Sequence, residues 1–354
     1  MSSNPDEVIA PRKGEELNVE NLQAYLREKL GLRGTPEIRQ FPGGFSNLTY
    51  LLRIDGNEFV LRRPPFGANI KSAHDVRREY TVLSHLQPVY SKIPKPLLYC
   101  DDDAVIGAPF YVMERVKGVI LRASPAPAER PSPPEMRRIA DSLIESFAEL
   151  HAVDINAAGL ADFGRAEGYV RRQIEGWTRR YIKARTDDVP EIERAAQWLA
   201  DNLPPESGAS LIHNDYKYDN VVLNPNNLTE IVAVLDWEMA TVGDPLMDLG
   251  SSLGYWVQAD DPEILRRVAF GPTILPGNPT RAEFAKLYAQ KSGRSVDDLV
   301  FYYVYGLFKL AVIGQQIYKR YKSGFSKDPR FAHLNHVVRV LGQTAVRAIE
   351  RGEI

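Results

Sequence analysis

The sequence LIHNDYKYDNVVL, residues 211–223, is followed after a short gap by IVAVLDWE, residues 231–238. Each segment joins a short apolar run, typical of a buried strand, to polar residues. The first presents Asp215 and, five positions later, Asn220, and the second presents Asp236 at the end of its apolar run. Carboxylate and amide oxygens suit hard cations such as Mg²⁺, which also retains waters and phosphate oxygens in its coordination shell. The two segments therefore predict a magnesium site.

The chain preceding this region is rich in predicted strands. Residues 48–54 and 58–63 flank Asp55-Gly56, a two-residue signal for a tight hairpin. An amphipathic helix is predicted over 73–86, and a further strand over 109–114. A short helix over 21–30 precedes the strands.

The pattern becomes mainly helical after the proline-rich stretch 124–134. Ser132-Pro133-Pro134-Glu135 resembles a capping box at the start of the first helix. Further helices are predicted near 168–184, 190–202, 245–257, 281–290, 296–321 and 328–350. Strands followed by helices indicate an α+β fold with two segregated lobes. We divide the chain into residues 1–115, a strand-rich lobe, and 116–354, a helical lobe.

The bulk properties exclude several classes of function. A length of 354 residues exceeds one ordinary core, which favours two lobes. A net charge of −2 gives no argument for binding nucleic acid or a membrane surface. The single cysteine, Cys100, can form neither an intrachain disulfide nor a multi-cysteine metal site. Neither a signal peptide nor a transmembrane run is apparent, so we expect a cytoplasmic protein.

The motif His213-x-Asp215-x-x-x-x-Asn220 resembles the catalytic loop of protein kinases and aminoglycoside phosphotransferases. Leu235-Asp236-Trp237 resembles the metal-binding motif that follows that loop. The resemblance implies the protein-kinase-like two-lobed fold, with ATP and Mg²⁺ as cofactors. It implies that residues 1–115 form the nucleotide-binding lobe and that residues 116–354 carry the catalytic loop and the acceptor site. It implies that Asp215 is the catalytic base, that Asn220 and Asp236 hold Mg²⁺, and that Lys217 contacts the transferred phosphate. Such residues are also common in turns, but the full spacing is far more specific than the His-Asp pair alone.

The first lobe contains further residues that resemble a nucleotide site. Glu79 resembles the helix glutamate that pairs with a phosphate-anchoring residue, although alone it would be read as a solvated side chain. Met113 and Glu114 resemble the linker strand that holds adenine, and a plain buried strand is the alternative. A loop between two strands could cover phosphates with its N–H groups, or could be an ordinary hairpin turn; it consists of Gly43, Gly44, Phe45, Ser46 and Asn47.

One position departs from the kinase pattern. The third strand ends in Val60-Leu61-Arg62, with Arg63 next, where kinases have lysine. Strand alternation allows only one of the two arginines to face the cleft, and we assign Arg62 to phosphate binding. Arginine can bind phosphate bidentately but does not replace lysine neutrally. A nucleotide-binding pseudokinase acting as a regulatory module is therefore an alternative.

Other segments indicate a subgroup of the phosphotransferase family. Val60 to Pro65 and Arg172-Gln173-Ile174-x-x-Trp177 resemble the kinase-like domain associated with certain acyl-CoA dehydrogenases. His151, Asp244 and Asp248 lie in motifs shared with aminoglycoside phosphotransferase-like proteins, and we interpret all three as structural. Asp244 is expected to cap a helix that has Pro245 in its first turn.

The acceptor is predicted from a basic segment. Residues 165–185 contain seven lysines and arginines against two glutamates. A site for a polycationic aminoglycoside should be acidic, so this segment favours an anionic hydroxy acid or hydroxyacyl-CoA. Alternatively, the arginines are the solvated face of an amphipathic helix whose apolar stripe is Val170, Ile174, Trp177 and Tyr181.

Three hypotheses thus follow from the sequence. The first is an ATP-dependent kinase acting on a hydroxyl of a small molecule. The alternatives are the pseudokinase and an aminoglycoside phosphotransferase. Protein kinase activity is disfavoured because no Ala-Pro-Glu motif follows Asp236 and a helix is predicted within about ten residues. The oligomeric state is left open, with a homodimer among the options.

Overall fold

The computed structural model describes residues 7–42, 47–65, 75–123, 125–126, 130–326 and 328–354. The chain forms two compact units. The first contains the residues up to Lys117 together with Val232–Ala240. The second contains Gly118–Ile231 and Thr241–Ile354.

The first unit is built on an antiparallel sheet of five strands in the order β1-β2-β3-β5-β4. Its strands are β1 (Glu37–Gln40), β2 (Leu48–Ile54), β3 (Asn57–Arg63), β4 (Pro96–Cys100) and β5 (Phe110–Glu114). Its helices are α1 (Val19–Leu30), α2 (Val76–Leu86) and the single-turn α3 (Asp103–Ile106). The predicted hairpin at Asp55-Gly56 is confirmed, and both residues adopt positive φ angles, as this tight turn requires.

The core of the first unit is formed by large side chains of the central strands. Tyr50, Leu52 and Leu61 are fully buried. These residues pack with α1, which contributes Leu22 and Leu26 to the same apolar cluster. The last four residues of β3 are all buried, including the two arginines at its end, Arg62 and Arg63. The sheet therefore buries charge at the end of this strand.

The second unit is mainly helical. Its helices are α4 (Pro133–His151), α5 (Tyr169–Ala184), α6 (Pro190–Asp201), α7 (Pro245–Tyr255), α8 (Glu263–Arg267), α9 (Arg281–Ser292), α10 (Leu299–Lys322) and α11 (Leu334–Arg351). Its strands are β6 (Ser210–Ile212), paired antiparallel with β9 (Thr241–Gly243), and β7 (Val221–Asn224), paired with β8 (Asn227–Val234). The last residues of β8 belong to the first unit.

Helix α10 is the central helix of the second unit and packs against α5, α7 and α11. Most of its residues from Phe301 to Val312 are buried. Within the described ranges, none of the helices combines the length and apolar character needed to span a bilayer.

The predicted helix starts had different outcomes. The cap of α7 is confirmed, because the Asp244 side chain accepts a hydrogen bond from the Leu246 N–H at 2.9 Å. The capping box at α4 was wrong, because the Ser132 side chain makes no capping hydrogen bond. Pro134 occupies the second helical position and lacks an N–H group, so one of the two donors that a cap side chain can serve is absent.

Candidate active site

The loop between β6 and β7 brings together three of the predicted site residues. The Asn220 Nδ2 donates to Asp215 Oδ2 at 2.7 Å and to the Asp215 carbonyl oxygen at 2.8 Å. The Lys217 ammonium forms an ion pair with the same carboxylate. A single 3₁₀ turn over Tyr218–Asn220 returns the chain to the strand β7 and so sets the spacing of the motif. Asp215, Lys217 and Asn220 therefore form one hydrogen-bonded group.

Two aromatic rings complete the surroundings of Lys217. Its Nζ lies 4.6 Å from the ring centroid of Tyr255, at the end of α7, and 5.6 Å from that of Phe270. Tyr255 also hydrogen-bonds Asp215. Burial alone would raise the pKa of Asp215, but the Lys217 charge and the hydrogen bonds from Lys217 and Tyr255 hold it below its ordinary value. Asp215 is thus ionised at neutral pH, which a proton acceptor requires.

The backbone of the loop is fixed by Asp248 of α7. This fully buried carboxylate accepts the His213 N–H at 2.6 Å and the Asn214 N–H at 2.8 Å. The His151 Nε2 lies 3.2 Å from the same carboxylate, and its Nδ1 lies 2.6 Å from the Tyr288 hydroxyl. Burial would raise the pKa of Asp248, but the bond to His151 and nearby charges lower it. His151 and Asp248 therefore support the loop that bears Asp215, as their structural interpretation predicts.

The first unit contains a separate cluster around Arg62. Its guanidinium forms an ion pair with Glu79 of α2 and lies 3.0 Å from Asp236 Oδ1 and 3.4 Å from Glu238 Oε2. Burial alone would lower the pKa of Arg62, but the carboxylates of Glu79 and Asp236 raise it well above its ordinary value. Burial raises the pKa of Glu79 to about 6 although Arg62 opposes the shift. One cation is thus shared by three carboxylates.

The two adjacent arginines of β3 point to different surroundings. Arg62 reaches Glu79 and Asp236, whereas Arg63 Nη1 donates to the Ile106 carbonyl oxygen at 2.8 Å. This is the alternation that a strand imposes on successive side chains. The contact between Arg62 and Glu79 agrees with the motif, while the role of either residue in binding a nucleotide stays a prediction.

The remaining predicted nucleotide-site residues are placed as follows. Gly43, Gly44, Phe45 and Ser46 lie outside the described residues. Asn47 is buried, and its Nδ2 donates to Glu238 Oε2 at 3.0 Å. Met113 is buried opposite Val60 in the sheet, whereas the Glu114 side chain is exposed and its N–H donates to the Lys95 carbonyl oxygen at 2.9 Å.

The prediction from the sequence assigned no role to two residues of these clusters, Glu238 and Tyr255. Glu238 lies two positions after Asp236 and contacts both Asn47 and Arg62. Its position in the sequence LDWE, two residues after Asp236, is the feature that could have identified it. Tyr255 lies forty positions beyond Asp215, and only the folding of α7 against the loop brings it to Lys217. No local pattern marks such a residue.

The predicted metal ligands have suitable chemistry for Mg²⁺. Because the Asn220 amide donates through Nδ2 to Asp215, its Oδ1 is the amide atom that remains to act as a ligand. Asp236 adopts a left-handed backbone conformation, its side chain is 35% exposed, and Arg62 contacts its Oδ1. Amide and carboxylate oxygens are the donors that Mg²⁺ prefers. Asn220 lies in the second unit and Asp236 in the first, and their joint action on one ion stays a prediction.

The cations of residues 165–185 are mostly engaged locally. Arg172 donates to the carbonyl oxygens of Glu167 and Arg165, and Arg179 lies 3.6 Å from Glu175. Arg180 stacks on Trp177 at 4.4 Å, and Arg185 pairs with Glu193. The predicted apolar stripe is buried, so much of this basic character belongs to the exposed face of an amphipathic helix. Arg165, Arg171 and Lys183 are exposed.

Comparison with known proteins identifies the family. The model of the phosphotransferase enzyme family matches residues 37–285, which include the Asp215 loop and the Arg62 cluster. The chain belongs to this phosphotransferase family. A candidate aminoglycoside phosphotransferase from Ralstonia eutropha JMP134 is 31% identical with a TM-score of 0.81, over 95% of this chain and 99% of that chain. Its similarity confirms the α+β protein-kinase-like fold.

Two further similar proteins are informative. Acyl-CoA dehydrogenase family member 11 of Gallus gallus is 36% identical over 324 residues, 90% of this chain and 41% of that relative. The chain spans 28–45% of the length of the curated relatives it matches. An aminoglycoside phosphotransferase crystallised with AMP-PNP and hygromycin B is 16% identical with a TM-score of 0.59, over 93% of this chain and 98% of that chain, which shows the fold alone. The predicted resemblance to the acyl-CoA dehydrogenase-associated subgroup is confirmed.

Proposed function

We propose that this phosphotransferase moves the γ-phosphate of ATP, with Mg²⁺, to a hydroxyl of a small molecule. The observation that carries the proposal is the set of contacts that hold Asp215. Its carboxylate is ionised and held by Lys217, Asn220 and Tyr255 on a loop whose backbone is fixed by Asp248. Phosphoryl transfer depends mainly on positioning and charge, and a preorganised carboxylate supplies the positioning of the attacking hydroxyl.

The proposed step transfers the γ-phosphate of ATP to the acceptor hydroxyl. The acceptor hydroxyl oxygen attacks the γ-phosphorus, and its proton passes to the Asp215 carboxylate. A new O–P bond forms while the bond from the γ-phosphorus to the β,γ-bridging oxygen breaks, so ADP leaves with the electron pair. We assign Lys217 to contact the transferred phosphate, and its ion pair with the Asp215 carboxylate supports this assignment. Bound Mg²⁺, held by Asn220 and Asp236, would offset the negative charge of the phosphates.

The nucleotide would be held by the first unit. We assign the phosphates to Arg62, aligned by Glu79, and to Gly43–Asn47. Met113 and the Glu114 backbone would line the adenine site. This assignment requires Arg62 to exchange a carboxylate for phosphate oxygens, which the planar guanidinium can bind in the same two-pronged way.

For the acceptor we propose an anionic hydroxy acid or hydroxyacyl-CoA. Two observations support this class over an aminoglycoside. The first is the name of the acyl-CoA dehydrogenase family members that the chain matches over most of its length. The second is the exposed cations Arg165, Arg171 and Lys183, which would attract an anion and repel a polycationic antibiotic.

A pseudokinase is the second candidate, and the ion pair between Arg62 and Asp236 favours it. That pair occupies one oxygen of a proposed metal ligand and the group proposed for the phosphates. If the pair persists with nucleotide bound, the chain would bind ATP without transferring phosphate.

One experiment separates these candidates. The purified protein is incubated with Mg-ATP or Mg-GTP and a panel of hydroxy acids, hydroxyacyl-CoA thioesters and aminoglycosides, and products are detected by the mass gain of one phosphate. We expect transfer to an anionic acceptor, reduced about 10²–10⁴-fold in Asp215→Asn, with nucleotide affinity unchanged. The exposed Asp162→Asn is the matched control and should behave as wild type. Tight nucleotide binding with no product from any acceptor would support the pseudokinase.

A further inference from the structure

Lys309 is a buried cation that the proposed chemistry does not use. It lies on α10, is 2% exposed, and falls outside residues 37–285 matched by the family model. A buried lysine is costly unless its ammonium is hydrogen-bonded and compensated by charge. The surrounding residues must therefore supply hydrogen-bond acceptors and negative charge for the Lys309 ammonium.

The packing of α10 against α7 directs Lys309 to the loop that bears Asp215. A Cβ at Gly306 would lie 2.0 Å from the Gly250 carbonyl oxygen, and a Cβ at Gly250 would lie 2.1 Å from the Tyr302 carbonyl oxygen. The two helices thus approach as closely as glycine permits. Lys309 follows Gly306 by one helical turn, so its side chain extends from the closest point of this contact.

The ammonium of Lys309 ends at the residue before Asp215. Its Nζ donates to the Asn214 carbonyl oxygen at 2.7 Å and lies 3.2 Å from Ser251 Oγ. Burial lowers the pKa of Lys309 to about 8, and the negative charges of Asp248 and Asp215 oppose that shift. At neutral pH the side chain is therefore mainly protonated and able to donate.

Asn214 is a position where the backbone needs support. Its φ angle is +65°, in the left-handed region that a non-glycine residue adopts at a cost of order 1 kcal/mol. Asp248 accepts the N–H of this residue, and Lys309 donates to its carbonyl oxygen. The two opposite charges thus hold both polar groups of the residue that sets the direction of Asp215.

We propose that Lys309 is a positioning residue that fixes the Asp215 loop through the Asn214 carbonyl. The inference rests on the proposed function in so far as Asp215 is the base, but its structural part stands independently. We assign Lys309 no direct contact with a metal ion or with the substrate. Its role is to keep Asn214 in the left-handed conformation so that the Asp215 carboxylate meets the acceptor hydroxyl in one orientation.

The test compares Lys309→Met, Lys309→Gln and a control, Lys319→Met, which removes an exposed ammonium from the same helix. Hydrogen–deuterium exchange of peptides covering residues 211–220 is measured by mass spectrometry, with peptides of α11 as the internal reference. We expect exchange of the loop to accelerate about tenfold or more in Lys309→Met, less in Lys309→Gln because its amide still donates, and not at all in Lys319→Met.

Kinetics supply the second readout. If transfer is detected, Lys309→Met should lower kcat about tenfold or more with the KM for nucleotide unchanged, and Lys309→Gln should recover part of the loss. Unchanged loop exchange in Lys309→Met would overturn the inference, as would acceleration that is equal in the loop and in α11. A wild-type protein without turnover would refute the proposed function, while the exchange experiment would still decide the role of Lys309.

Discussion

Buried charged side chains hold both the backbone of the loop that carries Asp215 and the cluster around Arg62, but these charges have different partners. In the loop, Asp248 accepts backbone N–H groups of His213 and Asn214, so helix side chains hold the main chain in place. In the Arg62 cluster, the charges contact each other, with one guanidinium among the carboxylates of Glu79, Asp236 and Glu238. A site fixed through its backbone can keep its geometry when a ligand arrives, whereas a site made of mutual ion pairs must exchange partners.

The largest expected effect comes from removing the cation of the first unit. Arg62→Met should lower the free energy of unfolding by about 3–5 kcal/mol, because three carboxylates lose their shared partner and one of them, Glu79, is 1% exposed. Arg62→Lys should recover part of this loss, since an ammonium restores charge but lacks the planar fork. Urea denaturation followed by tryptophan fluorescence measures both.

Arg53→Met is the control for this prediction. Arg53 lies on the neighbouring strand β2, is 44% exposed, and pairs with Glu58 and Glu37 at the surface. Its replacement should leave the free energy of unfolding close to that of wild type, because exposed ion pairs contribute little to stability. Equal stability of Arg62→Met and wild type would remove the distinction between the two regions, because it would mean that the buried carboxylates do not depend on Arg62.

The contrast between the regions was only partly predictable from the sequence. The spacing of Asp215 and Asn220 is local, so a motif captures it. The alternation of β3 allowed only one of the two arginines to face the cleft, and the choice of Arg62 agrees with its contact with Glu79. Lys309 and Tyr255 lie 94 and 40 positions from Asp215 in the printed sequence and reach the loop only through the packing of α7 and α10. Such contacts leave no periodic or spacing signal.

The secondary structure shows the same division between local signals and packing. Strand β4 was not predicted because Pro94 and Pro96 flank its start, and proline opposes strand pairing in the interior of a sheet. The structure places β4 at the edge of the sheet, where a missing N–H is tolerated. Strand β9 has three residues and owes its conformation to pairing with β6, so it has no recognisable pattern of its own.

A smaller loss of stability is expected from a change at Asp248, whose carboxylate binds the backbone of the Asp215 loop. Asp248→Asn should cost about 1–3 kcal/mol of stability, because the amide offers one oxygen to two buried N–H donors. Phosphate transfer should fall while the KM for nucleotide is retained, since the first-unit residues are unchanged. Asp260→Asn at an exposed position is the control. A fall in nucleotide affinity without any fall in kcat would contradict the role of Asp248 in positioning Asp215.

A smaller effect should follow the loss of one hydroxyl at the loop. Tyr255→Phe keeps the ring beside Lys217 and removes the hydrogen bond to Asp215, at a cost of about 0.5–1.5 kcal/mol in transition-state stabilisation. Because that bond lowers the pKa of Asp215, its loss should raise this pKa and move the acidic limb of the kcat/KM profile to higher pH. Tyr318→Phe, near the C-terminal end of α10, should leave the profile unchanged. An acidic limb that does not move, or moves to lower pH, would show that the hydroxyl does not stabilise the carboxylate.

The smallest expected effect concerns the pH dependence of stability. Burial lowers the pKa of Lys309 in the folded protein to about 8, below the value of about 10.4 for an unfolded lysine. Between these values the unfolded chain binds more protons, so the contribution of Lys309 to stability rises with pH. The free energy of unfolding of wild type, relative to Lys309→Met, should therefore increase by about 1 kcal/mol between about pH 7 and 8.5. Lys319→Met should show no such trend relative to wild type. A difference between wild type and Lys309→Met that stays constant or decreases over this range would mean that the pKa of Lys309 is not lowered, and its ammonium would then be more hydrated than its burial indicates.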